Sequence, residues 1–345
     1  MKQPNNILIV RTDRLGDVIL STPVIKNLRL SFPKSHIAFL CRPYTRDALE
    51  GNPYLDEVIT YDKYGRDKSF GASIRFSAYL GKKNFDLALI LHPTNRVHLI
   101  TFLARIPQRV GWDKKLSFLL TKKIPHSKQE GLKHELDYTL DILRALNIPI
   151  KCKDTYFPVS SNAEARVAEI LKIKRVGENE EFIVIHPSAS CRSKHWPQAH
   201  FLELIKLLRK EISLKIAVIT SFAERELGKK LVEESGVIDL RGVLSVAELG
   251  ALFKRTSLFI SNDSGPVHIA ASLDIPVISI FGRKDPGLSP LRWGPLGKEA
   301  FYFHKDAGCS KCLAHNCFKG FRCLIAISPY EVAKKAIDLL KADKK

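Results

Sequence analysis

Short apolar runs bounded by polar turns recur along the chain, and between them apolar residues fall at three- and four-residue intervals. In the first half, residues 6–11, 36–41, 58–61 and 85–92 read as strands, and 17–30 and 134–146 as helices. In the second half, strands are expected at 182–186, 215–220, 237–240, 258–261 and 277–281, with helices near 197–210, 223–235, 245–254 and 265–273. Strands that alternate with helices build βαβ units and a parallel sheet. The stretch after 146 reads as irregular, and the polar segment K-I-K-R-V-G-E-N-E-E at 172–181 separates the two series. The expectation is two doubly wound α/β domains, 1–172 and 173–327, followed by an amphipathic helix in 328–345. Ligands of such sheets bind beyond the carboxyl ends of the strands, so the loops there are where chemistry is sought.

Length and composition agree with that reading. A chain of 345 residues has room for two cores, and 45% hydrophobic with 26% charged residues excludes the disordered and fibrous classes. Charge adds a constraint: 55 Lys and Arg against 36 Asp and Glu give +19, with 24 against 14 in 1–150 and 31 against 22 thereafter. A field of this sign favours anionic partners such as nucleic acid, anionic lipid or phosphorylated substrates. The basic residues read as dispersed among acids and no nucleic-acid-binding module is visible, which argues against nucleic acid. No apolar run approaches the roughly 18 residues that span a bilayer, and 7–10 is too short and wrongly flanked for a signal peptide. The chain reads as cytosolic.

Three loops carry candidate chemistry. The first is T-D-R-L-G-D-V at 12–18, directly after the first strand, where Asp17 follows Gly16 at a helix start. It lacks the glycines that a dinucleotide pyrophosphate needs, and its carboxylates would repel phosphate, so a nicotinamide enzyme is not indicated. Asp17 is either a reactive carboxylate or a helix cap. The second is S-N-D-S-G-P-V-H at 261–268, a small polar turn between a strand and a small-residue helix. Gly265 permits close approach, Pro266 suits a first helical turn, and the free N–H groups there can receive phosphate oxygens. The third, H-P-S-A-S-C-R-S-K-H-W-P at 186–197, combines small residues with Arg192 and Lys194, of which Lys194 is the better phosphate donor. After the next strand, Glu224 is placed to take ribose hydroxyls or to sit as a helix-start acid.

Taken together, L-I-V-R-T-D-R-L-G-D-V, H-P-S-A-S-C-R-S-K-H-W-P and N-D-S-G-P-V-H-I-A-A-S-L-D-I-P-V-I-S-I-F-G resemble the ADP-heptose:lipopolysaccharide heptosyltransferases, glycosyltransferase family 9, over nearly the whole chain. The resemblance implies a GT-B fold, two Rossmann-like domains facing a central cleft. It also implies acceptor binding by the first domain, ADP-heptose binding by the second, an inverting metal-independent transfer, and a final helix that crosses back to the first domain. Residue by residue, Asp17 would be the catalytic base, Lys194 a diphosphate contact, Glu224 a ribose contact and Leu244 an adenine-side backbone contact. Asp263, Ser264, Gly265 and His268 would hold the diphosphate and heptose. The glycine pair usual before the glutamate is Thr220-Ser221 here.

The residue types suit that chemistry. An inverting displacement needs one base for the acceptor hydroxyl and stabilisation of a departing diphosphate, which leaves as an anion without a second carboxyl acid. The chain has no D-x-D pair of the kind that metal-dependent sugar-nucleotide transferases use, so no cofactor is expected. Acceptor contacts on the basic first half are sought at Arg14, Gly16, Arg42, Arg46 and Arg96, facing the phosphate and acidic-sugar groups of a lipid-linked lipopolysaccharide core. Cys309, Cys312, Cys317 and Cys323, with His315 among them, have spacing that a structural zinc could use, with packed free thiols as the alternative. A GT-B transferase that uses another sugar nucleotide is the rival reading. The expected location is the cytosolic face of the inner membrane, where charge alone holds the protein reversibly to anionic lipid.

Overall fold

The computed structural model describes residues 3–342. The chain divides into two compact units, the first running to Pro158 and the second from Val159, with Glu130–Leu132 belonging to the second. In the first, β1 (Asn6–Val10), β2 (His36–Cys41), β3 (Glu57–Thr60), β4 (Leu87–Ile90), β5 (Gln108–Trp112) and β6 (Lys122–Ile124) form a parallel sheet in the order β3-β2-β1-β4-β5-β6. Helices cover both faces of such a sheet, which is why β1 and β4 are continuously apolar rather than alternating. On one face Leu8, Val10, Ala38, Leu40, Ala88 and Ile90 pack with Phe76 and Leu80 of helix Phe70–Gly81 and with Val97 and Ile100 of helix Asn95–Leu103. Ser69 and Thr94 start these helices by accepting from the N–H groups of Ala72 and Val97.

The helix expected over 17–30 is two helices, Leu15–Ile19 and Thr22–Ser31, because Pro23 lacks the N–H that would continue the first into the second. Asp17 therefore lies inside a short helix, not at a cap. The strands β5 and β6 and the helices 70–81 and 95–103 are additions to the expected series.

The second unit repeats the plan. Its strands β7 (Phe182–His186), β8 (Lys215–Thr220), β9 (Ile238–Arg241), β10 (Thr256–Asn262), β11 (Val277–Phe281) and β12 (Ala300–His304) are parallel in the order β12-β11-β10-β7-β8-β9. Helix Ser161–Ile173, in the stretch expected to be irregular, is capped by Ser160 and packs on helix Val246–Phe253. Its Val167 and Leu171 are fully buried and contribute about 2 kcal/mol each. That packing moves the boundary from the expected 172/173 to 158/159. The final helix, Pro329–Ala342, lies on helix Gln198–Glu211, with Val332, Ala333, Ala336 and Leu339 in the same apolar core as Ile183, Ile185, Phe201 and Leu204. The tail expected to cross back to the first domain thus buries its apolar face in the second.

Both sheets reverse strand order at one place. β1 lies between β2 and β4, and β7 between β10 and β8, so the loops after β1 and β4, and after β7 and β10, flank the two switch points where doubly wound sheets bind ligands.

Candidate functional site

At the first switch point β1 is followed at once by Arg11, whose side chain is 2% exposed and bonded to three carboxylates. Its Nε donates to Asp13 at 2.9 Å, and its Nη2 donates to Asp17 Oδ1 at 2.5 Å and to Glu135 Oε1 at 3.0 Å. Lys128 Nζ also reaches Glu135, at 2.7 Å, and His92, in the loop after β4, meets Asp13 Oδ2 through Nδ1 at 2.6 Å. Glu135 is brought in by the first turn of helix Glu135–Arg144. Buried charges persist only when paired and hydrogen-bonded, and this cluster satisfies that condition for each carboxylate.

The electrostatics separate the two aspartates. Burial alone would raise the Asp13 carboxyl, but the Arg11 guanidinium and His92 beside it hold it well below the usual carboxylate range. Burial, reinforced by the negative charge of Asp13, pushes Asp17 up to about 6 even with Arg11 opposing. Among the described residues only Oδ1 of Asp17 is engaged by a side chain, and Oδ2 carries no hydrogen bond. Nη1 of Arg11 is likewise buried without a partner among the described residues. The result is a carboxylate fixed by one oxygen, with the other open and basic near neutrality.

At the second switch point His186 ends β7. Its ring bonds to Ser261 at 3.1 Å through Nδ1 and to Ser188 at 2.8 Å through Nε2, and burial lowers its pKa to about 4, so it is a neutral framework residue. The hydroxyl of Ser188 donates on to Glu224 Oε2 at 3.1 Å, and Ser221 donates to the same oxygen at 2.7 Å. Glu224 is therefore locked in orientation by two hydroxyls, and the Thr220-Ser221 departure from the family's glycine pair supplies one of them. In the loop after β10, Asp263 accepts from Lys194 Nζ at 3.0 Å and from Arg283 Nη2 at 2.6 Å. Burial would raise its pKa, but the two cations hold it below the usual carboxylate range. Asn262 ties the two loops together, donating to the Pro187 carbonyl at 2.7 Å and accepting from Trp196 N–H at 3.0 Å.

Ser264 gives helix Gly265–Ser272 no side-chain cap, since its hydroxyl pairs with Ser261 at 2.9 Å, and Pro266 follows in the first turn. The start of that helix is open to an anion beside Lys194 and Arg283. Gly265 stands at that open end and His268 is buried within the helix. Leu244 is half-buried between β9 and helix Val246–Phe253. Two residues before it Gly242 adopts φ +68°, and a Cβ there would come within 3.1 Å of Phe222 Cα, so this turn presses against the loop that carries Glu224.

The sequence-derived residues thus form one group per unit. Asp17 and Gly16 fall at the first switch point, with Arg14 exposed beside them. Arg42 stacks over Tyr44 and Tyr64, with 4.5 and 4.7 Å to the ring centroids. Arg46 is taken up by Glu50 at 2.7 Å, and Arg96 clips the 63–68 loop through the carbonyls of Lys63, Asp67 and Lys68, so these two have local structural partners. Arg11, Glu135, Lys128, His92, Ser188 and Arg283 were not foreseen. Arg11 ends an expected strand and Arg283 lies two residues beyond another, and a charge at a buried strand end is the signal that could have found them. Cys309, Cys312, Cys317 and Cys323 are free thiols, and among the described residues no group of three or more His, Cys, Asp or Glu is arranged to hold a metal ion. Cys323 instead donates to the Gly282 carbonyl at 2.6 Å.

Two doubly wound α/β units in one chain, each with a polar constellation at its switch point, are the architecture of a GT-B glycosyltransferase. Solved structures share it: a family 9 glycosyl transferase from Veillonella parvula superposes with a TM-score of 0.86 at 23% identity, covering 98% of both chains. The ADP-heptose lipopolysaccharide heptosyltransferase II of Escherichia coli superposes at 0.81 with 21% identity, over 99% of this chain and all of that one. In sequence, lipopolysaccharide heptosyltransferase 2 of Salmonella typhimurium is 24% identical over 98% of this chain and 99% of its own length. The model of glycosyltransferase family 9 (heptosyltransferase) matches residues 73–321, and the chain belongs to that family.

Proposed function

We propose that this glycosyltransferase moves heptose from ADP-heptose to the inner core of lipopolysaccharide, with inversion and without a metal, Asp17 acting as general base. The observation that carries the reading is the Asp17 carboxylate, anchored through Oδ1 and open at Oδ2. The acceptor hydroxyl attacks the anomeric carbon and gives its proton to Oδ2 while the bond from that carbon to the β-phosphate oxygen breaks. ADP departs as an anion toward Lys194, Arg283 and the start of helix Gly265–Ser272. Glu224 takes the ribose hydroxyls, and the Leu244 backbone borders the adenine. His268 lies on the heptose side, and Asp263 aims the two cations. On the acceptor side Arg14, Gly16 and Arg42 border the base. The enzymes that resemble this chain support the donor and acceptor classes. The working place is the cytosolic face of the inner membrane, with peripheral association; among the described residues no helix is long and apolar enough to cross a membrane.

A panel of sugar nucleotides tests the donor. A ligand bound only by the folded chain at one hundred times its Kd adds about 2.7 kcal/mol of stability, so ADP-heptose is expected to raise Tm where UDP- and GDP-sugars do not. Stabilisation by a different sugar nucleotide would establish the rival transferase. The base leaves a signature in pH. Transfer requires Asp17 deprotonated, so kcat/KM falls about tenfold per pH unit below about 6 and is flat above it. An acid limb centred near 4 would mean that an ordinary, solvated carboxylate is at work. For the donor side, Lys194→Ala is expected to weaken ADP and ADP-heptose binding by roughly 1.5–3 kcal/mol, the value of a hydrogen bond to a charged group. Unchanged affinity in calorimetry would hand the diphosphate to Arg283.

A further inference from the structure

Helices Phe70–Gly81 and Asn95–Leu103 lie side by side on one face of the first sheet, and the second also packs against the turn Ser117–Leu119. Their inner residues close the core already described. Their outer residues do not follow the usual polar pattern, since Phe70 is 67% exposed and Phe118 71%, and Ile74, Tyr79, Phe102 and Leu103 are exposed with them. Scattered apolar residues on a surface need no explanation, but six large ones on adjoining elements form a patch of the kind that marks an interaction surface.

The charge in the same stretch is equally uneven. Residues 68–125 contain eleven Lys and Arg and two acids, Asp86 and Asp113, a net +9 out of the chain's +19. Of the two acids, Asp86 accepts from the N–H groups of Asn5 and Asn6, while Asp113 accepts from Ser117 and lies 3.7 Å from Lys123, so it offsets one of the eleven cations. Arg75, Lys82, Arg105, Lys114 and Lys115 are exposed around the apolar residues. Two further cations lie over the rings themselves, Arg109 at 5.4 Å from the Phe102 centroid and Lys83, which is paired with Glu57 at 2.6 Å, at 5.2 Å from that of Tyr79. The positive charge is thus concentrated here and not dispersed.

We infer that this outer face of the first unit docks on an anionic phospholipid bilayer, the aromatic and aliphatic side chains entering the interface while the ring of cations meets lipid phosphates. Charge complementarity selects that occupant. A second copy bound by two-fold symmetry would set these cations against themselves, and a nucleic acid would leave the apolar residues uncovered. The inference rests on the peripheral association proposed above and changes its nature: attachment has an apolar component that salt does not screen, beside an electrostatic one that it does.

The test is sedimentation of the full chain with vesicles of phosphatidylcholine alone and with about 30% phosphatidylglycerol, in low salt and in about 1 M salt, where screening is nearly complete. The native chain is expected on the anionic vesicles, with a fraction retained at high salt. Lys114→Ala with Lys115→Ala should lower partitioning at low salt about 30-fold, roughly fivefold for each cation removed. Phe70→Ser with Phe118→Ser should abolish the salt-resistant fraction at unchanged Tm, both sites being exposed. Both double variants should glycosylate a lipid-free core oligosaccharide at the native rate and be slow only on acceptor presented in membranes. Native-like sedimentation of the variants, absence of the native chain from anionic vesicles, or a dimer or DNA complex abolished by Phe70→Ser with Phe118→Ser would overturn the docking. Failure to transfer to either acceptor with the vesicle results intact would overturn the proposed reaction and leave the docking standing.

Discussion

Asp17→Asn is expected to lower kcat by two to four orders of magnitude while ADP-heptose binds as before, the range lost when a positioned general base is removed. The amide has nearly the shape of the carboxylate and Arg11 can still donate to its oxygen, so the helix Leu15–Ile19 has no reason to move. What disappears is the open Oδ2, which becomes an NH2 group and cannot receive the acceptor proton. Single-turnover transfer alongside donor titration separates these effects. If turnover stays near native while donor affinity collapses, Asp17 is a structural residue and the base lies elsewhere.

Arg11→Met tests the cluster as a folding element. The methionine fills similar space but leaves Asp13, Asp17 and Glu135 buried with Lys128 as the cation that remains in contact with Glu135. Removing one partner of a buried ion pair costs about 3–5 kcal/mol because the other charge is left uncompensated. Urea unfolding is expected to show that loss, and any folded variant should carry its acid limb above pH 6, since Arg11 is the group that opposes the rise at Asp17. A loss under about 1 kcal/mol would mean that water reaches the cluster and does the work assigned to the guanidinium.

These two residues also mark where reading the sequence stopped. The strands around both switch points were readable because each is a short, uninterrupted apolar run with turn residues after it, and Asp17, Lys194 and Asp263 follow such runs directly. Arg11 contacts Glu135 across 124 positions and Lys194 meets Asp263 across three strands and three helices, and no spacing rule carries such pairs. Arg283 lies two residues beyond β11 and pairs with Asp263, a residue that reads as a ligand contact in its own right. Helix 70–81 is illegible in the sequence for a different reason. Phe70, Ile74 and Tyr79 face outward while Phe76 and Leu80 face inward, so apolar residues occupy both sides and the helical period cancels. Helix 161–173 was hidden by its polar exposed side, and only the surface that it covers on helix Val246–Phe253 shows to which unit it belongs.

The final helix has a consequence for synthesis of the chain. Trp196, just after β7, donates its indole N–H to the Ile327 carbonyl, and Val332, Ala336 and Leu339 complete the apolar layer that strands β7, β8, β10 and β11 begin. The first unit has all its strands by Ile124 and is essentially complete at Pro158, so it can close while the remainder is still being translated. The second cannot close until residues beyond 329 have been added, and during that interval its parallel strands present unpaired apolar surface. This half of the nascent protein is therefore where chaperone demand falls.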